Sequence, residues 1–325
     1  MKVVIPIAGL GTRLRPLTYA IPKPLIRLAG RAVLDHLLDK FLELPVEEYI
    51  FIVGHLGEQI EQYVRSRYQF AARFVVQNEL KGQAHALWLA REYIDRPFVL
   101  IFGDTLFEAD LSRLIQVKSD GVVFVKEVED PRRFGIAVLR GSRVVRFVEK
   151  PETLDSKLAL IGMYYVAHWQ LFNEAVQTVM EQGIQTKGEY YIADAFQVLA
   201  DRGAVLEPWP VPTWIDSGTP EALLAAQRYL LEHGSTQTIP TENSTLTAPV
   251  HIDRTARIVN SVVGPYVSVA ESVRIVSSIV RDSIIQEGTS IEGATLEGSL
   301  IGPHAQVKGK SFPLEVGDSS QAELS

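Results

Sequence analysis

Between residues 252 and 307 a β-branched side chain keeps returning at a spacing of six: Ile252 and Ile258; Val263, Val269 and Ile275; Ile279, Ile285 and Ile291; Ile301 and Val307. A surface α-helix repeats its apolar stripe every 3.6 residues and a half-buried strand every two, so neither carries a period of six. A left-handed β-helix does, because each hexad forms one short side of a triangular coil and turns its apolar residue inward. The phrases SVVG, SSIV, DSII and GSLIG recur with the period and supply small residues for the corners. At about 18 residues per coil, roughly three coils fit, close to the fewest whose stacking makes a core. A few strands of an ordinary sandwich are the plain alternative, disfavoured by the period and the glycine-rich turns.

Upstream the pattern changes. From residue 1 to about 230, apolar runs such as KVVIPIA, YIFIV, RFVVQ and PFVLIFGD alternate with helix-like segments such as AVLDHLLDKFLEL, GEQIEQYVRSRY and GQAHALWLAREYI. That alternation belongs to βαβ units around a mainly parallel, buried sheet. GIAVLR and RVVRFVEK, separated by Gly-Ser, read as a hairpin added to it; helical patterns return at 168–182, 191–202 and 219–232. The expected organisation is an α/β domain over 1–232, a Ser/Thr/Pro-rich linker over 233–249, a short left-handed β-helix over 250–311 and a polar tail over 312–325.

The 325 residues are 46% hydrophobic and 22% charged, which excludes disorder for most of the chain. No apolar run nears the roughly 20 residues needed to span a bilayer, and the start lacks the apolar core of a signal peptide, so a cytoplasmic protein without a membrane partner is expected. A net charge of −7 argues against a nucleic-acid partner. With no cysteine in the chain, any metal must sit on oxygen or imidazole.

Local positive charge is therefore informative where it appears. IPIAGLGTRLRPLT, residues 5–18, is an apolar run that empties into a glycine turn carrying Arg13 and Arg15. A dinucleotide fingerprint would need a third glycine where Leu14 stands, and the GxxxxGK[ST] phosphate loop is absent. What remains is a glycine loop whose backbone N–H groups line a polyphosphate, with arginines to neutralise it, set against a plain tight turn with surface arginines.

GLGTRLRPLTYAIPKPL closely resembles the GxGTRLxPLT…KP signature of the sugar-1-phosphate nucleotidylyltransferases, and the similarity continues through GQAHAL, FGDTLF, RFGIAVL, FVEKPE, LIGMYYV, GEYYIADA and WIDSGTPEALL. It covers about residues 1–230; the repeat tail resembles the C-terminal extension of long-form members, including glucose-1-phosphate thymidylyltransferases. The resemblance implies a Rossmann-like nucleotidyltransferase domain with a mixed, mainly parallel sheet. It also implies a reaction in which a sugar-1-phosphate oxygen attacks the α-phosphorus of a nucleoside triphosphate and expels pyrophosphate.

No general base is needed for that attack, since a phosphate monoester with a second pKa of about 6 is already ionised at neutral pH. The obstacle is repulsion between polyanions, so positioning and charge neutralisation should dominate. By the resemblance, Ala8, Gly9, Gly11 and Thr12 line the triphosphate while Arg13 and Lys23 neutralise it. Asp104 and Asp216 hold Mg²⁺, which prefers oxygen and takes only one or two protein carboxylates beside substrate oxygens. Gln77 and Gly82 read the base, the Gln amide offering an imide both a donor and an acceptor. Glu149 meets sugar hydroxyls and Lys150 the sugar phosphate, with Gly135, Gly162 and Trp214 shaping the sugar site. Helix capping for the aspartates and a surface ion pair for Glu149 and Lys150 are the ordinary alternatives.

Three departures bear on substrate choice: Ala8 where many members have glycine, Phe134 where thymidylyltransferases have tyrosine, and Lys157 where asparagine is common. The AGLGTR…AIPK spelling is also similar to the uridylyltransferase branch, so UTP competes with dTTP, with glucose-1-phosphate as the expected sugar. GDP-mannose or ADP-glucose synthesis, or a non-catalytic regulatory subunit, are the alternatives; the last would be expected to lose Arg13, Lys23 or an aspartate. His36, His55 and His85 read as structural. His251 and His304 could suggest an acyltransferase, but three coils are short for one, and a homo-oligomer assembled through the β-helix is expected instead.

Overall fold

The structure, a computed structural model, describes residues 1–152 and 155–309. The expected polar tail, 312–325, lies outside them. Two compact units divide the chain: Met1–Ile26 with Arg31–Ala226, and Arg27–Gly30 with the chain from Gln227 onward. The division falls inside a helix, Pro220–His233, earlier than the boundary at 232 that composition suggests.

Strands β1 (Lys2–Ile7), β2 (Glu48–Val53), β3 (Ala72–Val76) and β4 (Phe98–Ile101) pair in parallel in the order β4-β1-β2-β3. Val3, Val4 and Ile5 of β1 and all four residues of β4 are buried, the near-continuous apolar run that a sheet covered on both faces requires. Helices α1 (Val33–Asp39), α2 (Gly57–Arg67) and α3 (Gln83–Ala90) are the crossovers, and two clusters of buried side chains lie on the sheet's faces. A short strand, β5 (Thr105–Glu108), follows β4, and β6 (Gly121–Glu127) comes next. The expected hairpin is present as β7 (Gly135–Arg140) and β8 (Arg143–Glu149), and β9 (Leu158–Val166) joins β4, β6 and β7 antiparallel, which makes the sheet mixed. Helices α4 (Trp169–Glu181) and α5 (Ile192–Asp201) follow, then β10 (Leu206–Pro210) beside β6 and β11 (Thr213–Asp216) beside β5.

In the second unit three parallel sheets of four short strands form the three sides of a coil that fits a left-handed β-helix. The rungs are shorter than eighteen residues. Val250 pairs with Val267 and Val262 with Ile279, an offset of 17, whereas Ser290 pairs with Gln306 and Ile284 with Leu300, an offset of 16. This shortening moves the inward position on one side from Ile279 to Val280, which is fully buried while Ile279 is 38% exposed. Corners close tightly because a residue in the left-handed region sits at each: Asn243, Asn260, Ser277 and Gly293 mark one edge of the prism. Serine hydroxyls staple that edge. Ser261 Oγ donates to the Val259 carbonyl (2.7 Å) and accepts from Ser278 N (3.1 Å), and Ser278 repeats the pair with Val276 and Ala294.

The polar stretch 233–249 already carries ladder contacts of this coil. Thr245–Leu246 pairs with Val262–Val263 as the first of four strands on one side, and Gln237 and Glu242 bridge His251 and Val259 ahead of the four strands on the other two, so among the described residues each side has at least four rungs instead of roughly three. Its Ser/Thr/Asn content supplies corners. His251 and His304 both pack on glycines of the same unit: a Cβ at Gly30 or Gly288 would lie within 2.3 Å of the His251 or His304 ring respectively.

Candidate active site

β1 is an interior parallel strand, paired on both edges, and the chain leaves its carboxyl end into the glycine turn. Gly11 stands at φ 61° and receives Leu14 N on its carbonyl (2.9 Å), opening a 3-10 turn, Thr12–Leu14, with Leu14 buried and Arg13 thrown outward. An L side chain is strained at that φ, which is why glycine stands there. Nothing lies within 4 Å of a Cβ placed on Gly9, so that stretch of backbone is open. The turn forms one wall of a cleft of about 400 Å³ lined by Ala8, Gly9, Gly11, Thr12, Arg13, Lys23, Gln77, Gly82 and Asp104. Nine of the residues singled out in the sequence thus share one cavity at the carboxyl edge of the sheet, where open α/β folds bind ligands.

Asp104 follows β4 at that edge. Lys23, only 11% exposed at its side chain, donates to Asp104 Oδ2 at 2.5 Å. The antiparallel register of β11 on β5 sets Asp216 opposite Thr105, one residue from Asp104, and the next residue, Ser217, bonds the Asp104 carbonyl through both N and Oγ (3.0 and 2.9 Å). Burial, then the charge of Asp104, push the Asp216 carboxyl above its ordinary pKa, against the pull of Lys23, Arg13 and Arg133. A Cβ on Gly218 would lie 2.7 Å from Arg13 Nη2 and 2.9 Å from Asp216 Oδ1, so glycine is what lets the guanidinium and carboxylate approach there. Two carboxylates and two cations therefore converge although Asp104 and Asp216 are far apart in sequence. Oxygen donors of this kind fit Mg²⁺, and among the described residues no group of three or more His, Cys, Asp or Glu forms a cage that would hold a metal without substrate oxygens.

At the other end of the cleft Gln77 is 5% exposed, and both of its N–H groups are spent: Nε2 reaches the Gly82 carbonyl (3.1 Å) and His85 Nδ1 (3.0 Å). Burial lowers the His85 pKa, which keeps the ring neutral and able to accept. Gln77 is left with Oε1 as an acceptor, not the donor-acceptor pair expected of a free amide.

The sugar-side residues group apart from the cleft lining. Glu149 ends β8 and shares a groove with Thr186, Asp194 and Gln197. Space at Gly135 is taken by Glu149, whose Oε2 would be 2.8 Å from a Cβ there. Gly162 has φ 80° and packs against Phe102, and Trp214 meets Phe134 edge to face at 4.8 Å. The buried Nε1–H of Trp214 has no partner among the described residues. Glu189, Gln83 and Leu80 also line the cleft and were not evident from the sequence, nor was Arg133, the member of the Arg132–Arg133 doublet that faces Asp216 while Arg132 pairs with Asp130. The doublet itself was the available signal.

Burial pushes the Glu149 carboxyl from 4.5 up to about 7, opposed by the charge of Lys150. The folded state thus keeps a proton that the unfolded chain has released, and stability conferred by that site falls as pH rises from about 4.5 through about 7. Glu149→Gln should therefore gain melting temperature relative to wild type between pH 5 and pH 8; a difference constant across that range would contradict the assignment.

A family model described as Nucleotidyl transferase matches residues 2–233. The chain belongs to the nucleotidyl transferase family. Among curated nucleotidyl transferases, it is 29% identical to a glucose-1-phosphate thymidylyltransferase of Streptomyces griseus, covering 100% of both chains. It is 32% identical to the UTP–glucose-1-phosphate uridylyltransferase AglF of Haloferax volcanii, over 71% of this chain and 97% of that one. A solved UDP-glucose pyrophosphorylase complexed with UDP-glucose shares the nucleotidyl transferase fold, with a TM-score of 0.63 and 22% identity over 72% of this chain and 99% of the other. An enzyme of this family is what the converging carboxylates and cations describe.

Proposed function

We propose that this nucleotidyltransferase joins glucose-1-phosphate to dTTP or UTP, releasing pyrophosphate. The observation that carries the reading is the Lys23–Asp104 ion pair at a glycine-lined cleft, with Arg13 on its wall and the Arg13 and Asp216 side chains brought close together over Gly218. A sugar phosphate oxygen forms the new bond to the α-phosphorus as the bond to the β-phosphate oxygen breaks, and the electron pair leaves with pyrophosphate. Backbone N–H groups of residues 9–13 and the Arg13 guanidinium face the charge that develops on the phosphates. Asp104 and Asp216 would hold Mg²⁺, which supplies charge neutralisation at the phosphates. Gln77 Oε1 offers an acceptor that suits the N3–H of thymine or uracil. Glu149, Trp214 and Gly162 border the sugar, with Lys150 on its phosphate. A cytoplasmic location goes with substrates of this kind, and the β-helix, with its flat sides, is the surface through which homo-oligomers would form; a monomer in light scattering would contradict that part.

The relatives carry both base names, so the test is a matrix of dTTP, UTP, ATP, GTP and CTP against glucose-1-phosphate, mannose-1-phosphate and N-acetylglucosamine-1-phosphate, read by pyrophosphate release. The expected result is turnover with glucose-1-phosphate and one or both pyrimidine imides. Preference for GTP with mannose-1-phosphate, or no turnover with any pair, overturns the reading.

A further inference from the structure

Lys150 is held by an unusual set of contacts. The strand β8 ends at Glu149, and Lys150 turns out of the ladder with φ 45°, a left-handed conformation that lysine seldom adopts, while its N–H donates to the Phe134 carbonyl (3.0 Å). Its ammonium does not pair with the carboxylate of the preceding residue. Lys150 Nζ donates instead to Tyr191 Oη at 2.7 Å and lies 4.9 Å from the centroid of the same ring. Tyr191 is 5% exposed and is the residue from which α5 starts. The preceding residue is strapped to the nucleotide side of the cleft: Tyr190 N donates to the Lys81 carbonyl and Ala84 N to the Tyr190 carbonyl, both at 2.9 Å. Tyr191 is thus a rigid post.

The choice of partner matters chemically. A carboxylate partner would neutralise the ammonium, as Asp104 does for Lys23. A phenol fixes the direction of one N–H and leaves the net charge, together with two further donors, for an anion. The ring below adds cation–π attraction without adding a counter-charge. We propose that Tyr191 is a positioning residue, which holds the Lys150 ammonium aimed at the phosphate of the sugar-1-phosphate. This rests on the reading that Lys150 meets that phosphate.

Initial rates for wild type, Tyr191→Phe, Lys150→Met and the double variant, with glucose-1-phosphate or the sugar-1-phosphate that the matrix returns, test both levels separately. Tyr191→Phe keeps the buried ring and removes only the hydroxyl, so the fold is retained. Its KM for the sugar-1-phosphate should rise about tenfold, the size of one hydrogen bond to a charged group, and by more than kcat falls or the KM for the nucleotide changes. In the Lys150→Met background the same substitution should have little further effect, because the two act as one unit. An unchanged KM in Tyr191→Phe, or an effect that multiplies fully with that of Lys150→Met, overturns the positioning role while leaving the reading of Lys150 intact. An unchanged KM in Lys150→Met overturns that reading and the proposal with it.

Discussion

Asp104→Asn should lower kcat by at least a hundredfold while the protein melts within a few degrees of wild type. The fold survives because asparagine keeps an oxygen that can accept from Lys23, whose ammonium is largely buried and would otherwise lose its partner. What is lost is one of two carboxylates able to hold a divalent ion, and with it the neutralisation that lets one polyanion approach another. Asp216→Asn should behave alike. Binding of Mn²⁺ to the protein with nucleotide present, followed by electron paramagnetic resonance, should weaken in both variants independently of turnover. There is an electrostatic signature as well: the Asp104 charge helps to hold the Asp216 carboxyl above its ordinary pKa, so Asp104→Asn should bring that carboxyl back down. Full activity in Asp104→Asn, or unaltered Mn²⁺ binding in both variants, would sink the two-carboxylate assignment.

How much of this was readable beforehand differs from residue to residue. The glycine turn was legible as a buried strand emptying into Gly-Leu-Gly, and the resemblance, not the turn alone, set the arginine on a phosphate. The place of Asp104 at the end of the apolar run PFVLIFGD was legible, but its role came only with the resemblance. Asp216 was not, except through resemblance: its place beside Asp104 depends on the register of β11 on β5, which no local pattern encodes. In the coil the period of six was real but not strict. Left-handed residues at the corners shorten rungs to 17 and then 16 residues, so inward positions drift and Ile279 gives way to Val280. The stretch 233–249 lacks the apolar density of a strand, and only its backbone pairing joins it to the coil. The Gln77 amide illustrates another limit: its identity was legible, but which of its atoms stay free depends on Gly82 and on the neutral ring of His85, one turn of chain away. Tyr191 sat inside the GEYYIADA stretch without any sign that its hydroxyl would meet Lys150.

Arg13→Ala should raise the barrier to nucleotidyl transfer by roughly 2 to 4 kcal/mol, a loss expressed mainly in kcat. The guanidinium is presented by a turn that fixes its backbone, since Gly11 is left-handed, Leu14 is anchored in the core and Arg13 itself is exposed on the cleft wall. Such a group stands ready before charge develops, which is the condition under which it stabilises a transition state more than a ground state. Its other neighbour, Asp216, keeps it from being an idle surface cation: without Arg13, Asp216 loses one of the charges that oppose its raised pKa and should be harder to ionise. A companion variant separates position from charge. In Gly218→Ala the new methyl would lie 2.7 Å from Arg13 Nη2 and 2.9 Å from Asp216 Oδ1, so one or both side chains must shift while every charge is retained. The expected order of kcat is wild type, then Gly218→Ala, then Arg13→Ala, with the nucleotide KM changing less than kcat in each. If Arg13→Ala changes only KM, the arginine binds the ground state, and its charge beside Asp216 has no part in the transfer step.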